Sequence, residues 1–189
     1  EQQQRFAGRI KERLHELEHQ VRDMLVFARG ELPLPDRTSP SALFAALRSA
    51  AESHVQGMTV RWQCDARLGE LLCNRDTLVG TVLNLIENAI QASAGDVRLK
   101  VHLYTRDNNL RVSVSDSGSG IEPNVLARLG EPFFTTKNTG TGLGLTVVKA
   151  VARAHQGELL LRSRPGRGTC AQVILPLFSG EKSIDQGAE

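Results

Sequence analysis

Two asparagines four residues apart, Asn84 and Asn88 in LNLIENAIQA, project their carboxamides from one face if that segment is helical. Carboxamide oxygens can hold a hydrated Mg2+, which takes one or two protein oxygens beside phosphates and water. The apolar Leu83, Ile86 and Ile90 are then expected on the opposite side, facing a core. A second reading stands beside this one, in which the two amides solvate an exposed helix face.

Further along, SDSGSG places Asp116 where an alternating stretch stops, with Gly118 and Gly120 free to turn the chain sharply beside it. A carboxylate there can accept a hydrogen bond from an exocyclic amine while the adjacent backbone lies flat against a ring. An ordinary Asp-Ser-Gly loop is the competing reading.

The stretch EPFFTTKNTGTGLGL, Glu131 to Leu145, differs in kind. Gly140, Gly142 and Gly144 come at alternate positions around the expected start of a helix near Leu143. Unpaired amides and the positive end of the helix dipole then face one space, an anion site whose natural occupant is phosphate. Lys137 adds a mobile positive charge, and Thr135, Thr136, Thr139 and Thr141 add hydroxyls. The chain has no GxxxxGK[ST] loop, no Rossmann glycine pattern and no HRD or DFG signature, which sets aside three other phosphate chemistries. In PGRGTC, Gly166 and Gly168 permit either another close backbone approach or a plain hairpin turn.

The elements that would position these residues follow from periodicity. Phe6, Ile10, Leu14, Leu17, Val21, Met24 and Ala28 form a narrow helical stripe over residues 5–29 that calls for partner helices. It is either docked on its own domain or half of a dimerising bundle. GELPLPDRTSP carries three prolines and breaks the helix, so residues 31–38 read as a linker. Ser39 or Ser41 can cap a helix to about His54, with Leu43, Leu47 and Ala50 on its buried face. TVRWQCD and Leu71–Cys73 read as strands, and Asp76 opens a helix through Ala92. VRLKVHLYT and LRVSVSDSG form a hairpin across RDNN, a third helix runs from Gly142 to His155, and GELLLRS with GTCAQVILPL closes the sheet. The tail 179–189 is polar and expected to fray. This is an α+β chain, one sheet with helices laid on a single face as a two-layer sandwich, preceded by a long N-terminal helix.

Composition narrows the classes. The 189 residues carry Lys+Arg 23 against Asp+Glu 21, a net charge of +2 with no long block of one sign, and one Trp and one Tyr, so nothing marks a nucleic-acid surface. Cys64, Cys73 and Cys170 are odd in number and far apart, without CxxC spacing, which disfavours a disulfide framework or a zinc cluster and fits a reducing compartment. No apolar run is long enough to cross a bilayer, and no charged-then-apolar leader opens the chain. A start in mid-pattern at EQQQRF, without an initiator Met, suggests a piece of a longer protein.

Each motif is modest alone, but their order is specific. NLIENA, DSGSG, EPFFTTK, GTGLGL and GRGT together resemble the ATP-binding domain of sensor histidine kinases, in the superfamily that also holds gyrase, Hsp90 and MutL. The resemblance covers roughly residues 39–178, and EPFFTTK with the compact segment from Gly120 to Gly140 is similar to the nitrogen-regulation and flagellar-regulation branch.

The resemblance implies a Bergerat-type ATP fold, a mixed sheet with three helices on one face, that binds ATP or ADP with Mg2+. It assigns Asn88 to Mg2+ and Asn84 to support of the phosphates; gyrase-type relatives have a glutamate base at the latter position, so the amide argues against hydrolysis. Asp116 would bind the adenine amine, Gly118, Gly120 and Ile121 would shape the base pocket, and Thr169 would complete it through water. Phe133 and Phe134 would anchor a lid. Lys137 would reach the terminal phosphates, wrapped by Gly140, Gly142 and Gly144 together with Thr136, Thr141, Leu143 and Leu145. Asn84, Asn88 and Lys137 are the residues implied in catalysis.

Two departures matter. Many members carry Lys or Arg three residues after the Mg2+ asparagine, where this chain has Gln91, which raises the weight on Lys137. HELEHQ, His15 to Gln20, begins like the phosphoacceptor box but has Glu18 for Arg or Asn and Gln20 for Pro, and it lies only 84 − 15 = 69 residues before Asn84. Residues 1–30 are therefore read as the second helix of a dimerisation and phosphotransfer hairpin, with His15 on a solvated face and the phosphoaccepting histidine missing from this chain. His54, His102 and His155 are read as structural. The implied partners are the protein's own phosphotransfer helices, a homodimer partner and a response-regulator receiver domain, in the cytoplasm. A nucleotide-binding switch, adaptor or anti-sigma-like module of the same fold is the alternative, and a gyrase-like ATPase a third reading.

Overall fold

A computed structural model of the chain describes residues 36–66, 69–93, 98–137 and 141–178; the expected N-terminal helix, the start of the linker, His15, Thr139, Gly140 and the tail lie outside the described residues. The chain order is β1 (Asp36–Thr38), α1 (Pro40–Ala51), β2 (Thr59–Cys64), β3 (Leu71–Cys73), α2 (Arg75–Ala92), β4 (Arg98–Arg106), β5 (Asn109–Asp116), a one-turn α3 (Pro123–Leu126), α4 (Gly144–Ala154), β6 (Glu158–Ser163) and β7 (Thr169–Pro176).

Five strands form one mixed sheet in the order β2-β4-β5-β7-β6, with β2 parallel to β4 and the other pairs antiparallel. Period-two alternation aims Leu99, Val101 and Leu103 of β4, Leu110, Val112 and Val114 of β5, and Ala171, Val173 and Leu175 of β7 into one buried layer. The register stacks them: Val101 faces Val114, and Val112 lies between Leu103 and Val173. Leu43 and Leu47 of α1, Val82, Leu85 and Ile86 of α2 and Val147, Val148 and Val151 of α4 cover that layer. Each such side chain contributes about 1.5–3 kcal/mol by leaving water. The far face is polar and zipped sideways: Arg111 donates to Gln172 at 3.2 Å, Gln172 to the Tyr104 hydroxyl at 2.8 Å, and His102 pairs with Asp65 at 2.8 Å.

The two-layer α+β sandwich expected from the pattern is the one observed, and it differs in four places. Asp36–Thr38, inside the stretch read as linker, pairs antiparallel with Leu71–Cys73, so a small second sheet stands beside the main one. Its partner lies over thirty residues away, and three residues carry too little alternation to announce it. α2 is capped by Asn74, whose Oδ1 accepts from Thr77 N at 2.9 Å, while Asp76 sits in the first turn. Between β4 and β5 the turn itself is Asp107-Asn108, both at positive φ (52° and 56°), the backbone a two-residue hairpin needs. Within α2 the buried apolar positions are Leu78, Val82, Leu85, Ile86 and Ala89; Leu83 and Ile90 are only partly buried, because sheet on one side and α1 and α4 on the others turn the buried arc away from them.

Ser39, rather than Ser41, caps α1: its Oγ accepts from Ala42 N at 3.2 Å, ahead of Pro40 at the first helical position. No helix among the described residues is long and apolar enough to cross a membrane. All three cysteines are free thiols.

Candidate functional site

α2 carries the first part of the site. Asn84 is only 5% exposed and belongs to the packed side of the helix, so the reading in which both amides solvate an outer face does not hold for it. Asn88, one turn later, is half-buried and looks toward the start of α4. A Cβ added to Gly144 would have Asn88 Nδ2 as its nearest neighbour, at 4.0 Å. The first helical residue of α4 and the second asparagine thus border one space.

That helix start is built to leave amides available. Leu143 occupies the N-cap position with helical backbone and makes no side-chain capping bond. The amides of the first turn therefore keep the positive end of the helix open to an anion. Leu143 is buried and Leu145 packs against the core, so their side chains hold the helix down while only their backbones can face a ligand. Thr141 Oγ1 accepts from Leu143 N at 3.4 Å, which ties this threonine to the loop.

Lys137 arrives from the opposite side. Its Nζ donates to Asn88 Oδ1 at 2.7 Å and to Gln91 Oε1 at 2.6 Å. The residue is exposed, yet its ammonium tip is drawn against α2. Burial there lowers its pKa from the ordinary lysine value, and the negative Glu87 nearby partly opposes this. The amide oxygen expected to take a metal ion thus accepts from the Lys137 ammonium in this structure. Gln91 is the residue the sequence reading undervalued: it appeared there only as a missing positive charge.

Asp116 closes the other end. Its Oδ1 accepts from Gly118 N at 2.8 Å and from Thr169 N at 3.2 Å. Both of those bonds fall on Oδ1, so Oδ2 is the oxygen to accept from an incoming amine. Burial raises the carboxyl above the ordinary aspartate range, against the lowering effect of the backbone amides of Gly118, Thr169 and Asp116 itself. The floor beside it needs glycine. A Cβ at Gly118 would meet the Ala92 carbonyl oxygen at 2.5 Å, and one at Gly168 would meet the Asp116 carbonyl oxygen at 2.1 Å. Gly120, at φ +69°, lies as tightly against the Arg164 carbonyl, and Gly166 N donates to Ser119 O at 2.7 Å. The PGRGTC turn is therefore a close approach that braces the Asp116 loop. Thr169 meets Asp116 directly through its backbone, while its hydroxyl pairs with Ser163 Oγ at 2.9 Å. Ile121 is half-buried beside this turn.

The two phenylalanines part company. Phe134 lies beneath the Arg128 guanidinium, 4.0 Å from ring centroid to Cζ, and so anchors its segment. Phe133 is 69% exposed with φ +64°; its backbone, not its ring, does the packing, against Gly142. Thr136 is exposed. Of the histidines read as structural, His155 accepts from Asn74 N at 3.1 Å on Nε2 and lies 2.8 Å from Val151 O on Nδ1, tying the end of α4 to the cap of α2. Among the described residues no group of three or more His, Cys, Asp or Glu is placed to hold a metal ion.

Residues 73–179 match the family described as histidine kinase-, DNA gyrase B-, and HSP90-like ATPase. Sensor protein kinase FleS of Pseudomonas aeruginosa is 79% identical over 178 residues, covering 94% of this chain and 44% of that protein. The signal transduction histidine-protein kinase AtoS of Escherichia coli is 36% identical over 117 residues, 61% of this chain and 19% of that protein. Among solved structures, full-length ShkA in complex with AMPPNP gives a TM-score of 0.74 at 25% identity, over 89% of this chain and 37% of that one. The catalytic domain of the histidine kinase ThkA gives 0.67 at 24% identity, over 77% and 96%, a likeness of fold. The chain spans less than half the length of those two curated relatives.

Proposed function

This chain belongs to the family of histidine kinase-, DNA gyrase B- and HSP90-like ATPases, and from that premise we propose that it is the catalytic, ATP-binding part of a two-component sensor histidine kinase. In this reading it binds Mg·ATP, and the parent kinase passes the γ-phosphoryl group to a histidine on its phosphotransfer helices, for relay to an aspartate of a response-regulator receiver domain. The P–O bond to ADP breaks as a P–N bond to the imidazole forms, and the imidazole proton is released.

The convergence of Asn88, the Lys137 ammonium and the N-terminus of α4 on one space carries the proposal. Asp116 Oδ2 accepts from the adenine amine, and the backbone at Gly118 and Gly120, with Ile121, borders the ring. Asn88 Oδ1 would hold Mg2+, with Asn84 supporting from within the helix. Bound there, the cation would neutralise charge on the phosphate oxygens. The Lys137 ammonium exchanges its amide partners for the terminal phosphate, and the α4 amides with Gly140, Gly142 and Gly144 receive the remaining oxygens. Positioning and charge neutralisation are the protein's contribution, as phosphoryl transfer requires. An amide at Asn84 cannot take a proton from water, which supports transfer over steady hydrolysis.

Residues 1–30 are proposed as the second helix of the dimerisation and phosphotransfer hairpin, joined by a short linker to the ATP-binding unit. The full kinase would work as a homodimer with this unit in the cytoplasm. A nucleotide switch, adaptor or anti-sigma-like module would use the same pocket; the match along 94% of this chain to a sensor kinase supports the kinase reading over it. Calorimetric titration with ATP, with and without Mg2+, tests the proposal: magnesium-dependent binding is expected, and its absence in folded protein would sink it.

A further inference from the structure

The segment that leads to Lys137 is tied to the first turns of α4 at both of its ends. On the entering side, the Lys149 ammonium donates to the Leu129 carbonyl at 2.7 Å. The stem of the same lysine lies over Gly130, where a Cβ would come within 2.5 Å of Lys149 Cε and Nζ and where φ is +84°. The Thr146 hydroxyl stands 3.5 Å from the Gly130 carbonyl oxygen and 3.4 Å from that of Gly142, between the entering and leaving stems. Those stems touch, since a Cβ on Gly142 would meet the Phe133 carbonyl carbon at 2.4 Å.

We propose that Lys149 is a positioning residue for the triphosphate. Resting on the nucleotide reading above, it assigns to Lys149 the task of fixing the stem from which Lys137 reaches Asn88. Leu129 lies just past α3, where helix-end carbonyls lack intrahelical partners, and an ammonium satisfies such a group with a charge-assisted bond. Because Lys149 stands on the same helix whose N-terminal amides face the phosphates, one rigid body sets both the amides and the root of the Lys137 segment. Without the pin, that root is free to swing and Lys137 loses its aim. The Asp116 end is held separately, by Gly118 and Thr169, and does not depend on this lysine.

The test compares Mg·ATP with adenosine on the whole chain. Lys149→Met keeps a stem of similar length over Gly130 but removes the charge. It should weaken Mg·ATP binding about tenfold, the worth of one charge-assisted bond, and leave adenosine affinity unchanged. Lys149→Arg should recover most of the loss, and Gly130→Ala, which displaces the lysine tip, should reproduce it. Unchanged Mg·ATP affinity in Lys149→Met, or an equal loss for adenosine, would overturn the assignment. If that variant fails to fold, the ATP-to-adenosine ratio in Gly130→Ala decides by the same criterion. Failure of the unaltered chain to bind either ligand would instead defeat the nucleotide reading itself, and this inference with it.

Discussion

Lys137 Nζ lies 2.7 Å from Asn88 Oδ1, joining a loop residue to a helix residue 49 positions earlier in the chain. In that contact Asn88 turns its oxygen to the ammonium, while its Nδ2 is the atom nearest a Cβ added at Gly144, at 4.0 Å. The contact also shows that Lys137 can reach the place where a metal-bound phosphate would sit.

Removing that oxygen is the direct check. Asn88→Ala should weaken Mg·ATP binding by at least roughly tenfold, while adenosine binding, governed by Asp116, stays as it was. Isothermal titration with both ligands reads the difference; equal affinity of the variant and the parent for Mg·ATP removes Asn88 from the metal site.

At the other end, Asp116→Asn separates recognition from stability. The amide oxygen can still accept from Gly118 N and Thr169 N, and a neutral group escapes the burial that penalises the carboxylate. Its NH2 would then confront the adenine amine donor to donor. Adenosine affinity should fall by roughly 10- to 100-fold, with the urea midpoint unchanged or raised. A variant that unfolds early yet binds normally contradicts both halves.

The pH dependence follows from the same carboxyl. Its folded pKa is raised, so protonation favours the fold: the stabilising term is complete below the unfolded aspartate pKa and disappears as pH climbs through the folded value. Ligand binding runs the other way, because the amine needs an ionised acceptor. Adenosine affinity should therefore decline on acidification at a pH above the ordinary aspartate range, and the decline should vanish in Asp116→Asn. Affinity that stays flat down to the normal aspartate range would rule this out.

Gly168→Ala places a Cβ 2.1 Å from the Asp116 carbonyl oxygen at a backbone φ of +79°. Left-handed backbone and overpacking together should cost about 2–5 kcal/mol, seen in denaturant unfolding, with nucleotide affinity falling as the Asp116 loop shifts. Wild-type stability would show that the two turns do not brace one another.

His155→Phe should cost about 1–3 kcal/mol, since it leaves the Asn74 amide without its acceptor. Mg·ATP affinity, measured on the folded variant, should not change; a selective loss of nucleotide binding would give this histidine a role beyond joining α4 to α2.

Local chemistry was legible wherever it is contiguous. Asn84 and Asn88 share a helix because four residues make about one turn, Asp116 ends a strand because alternation stops there, and the glycines before Thr146 open a helix whose amides are free. The sandwich was legible too, since period two and period 3.6 mark a core-facing side on the central strands and on the longer helices, though not on the one-turn α3. What the chain could not announce is each relationship set by side-chain reach between distant segments. Gln91 read as a lost charge until the fold brought Lys137 over it, and nothing in the sequence marked Lys149, whose ammonium the fold sets on the Leu129 carbonyl. Asp36–Thr38 read as linker because its partner strand lies more than thirty residues away. Periodicity records which side of an element meets the core; only tertiary packing decides which polar tips meet one another, because those distances depend on how whole elements are placed.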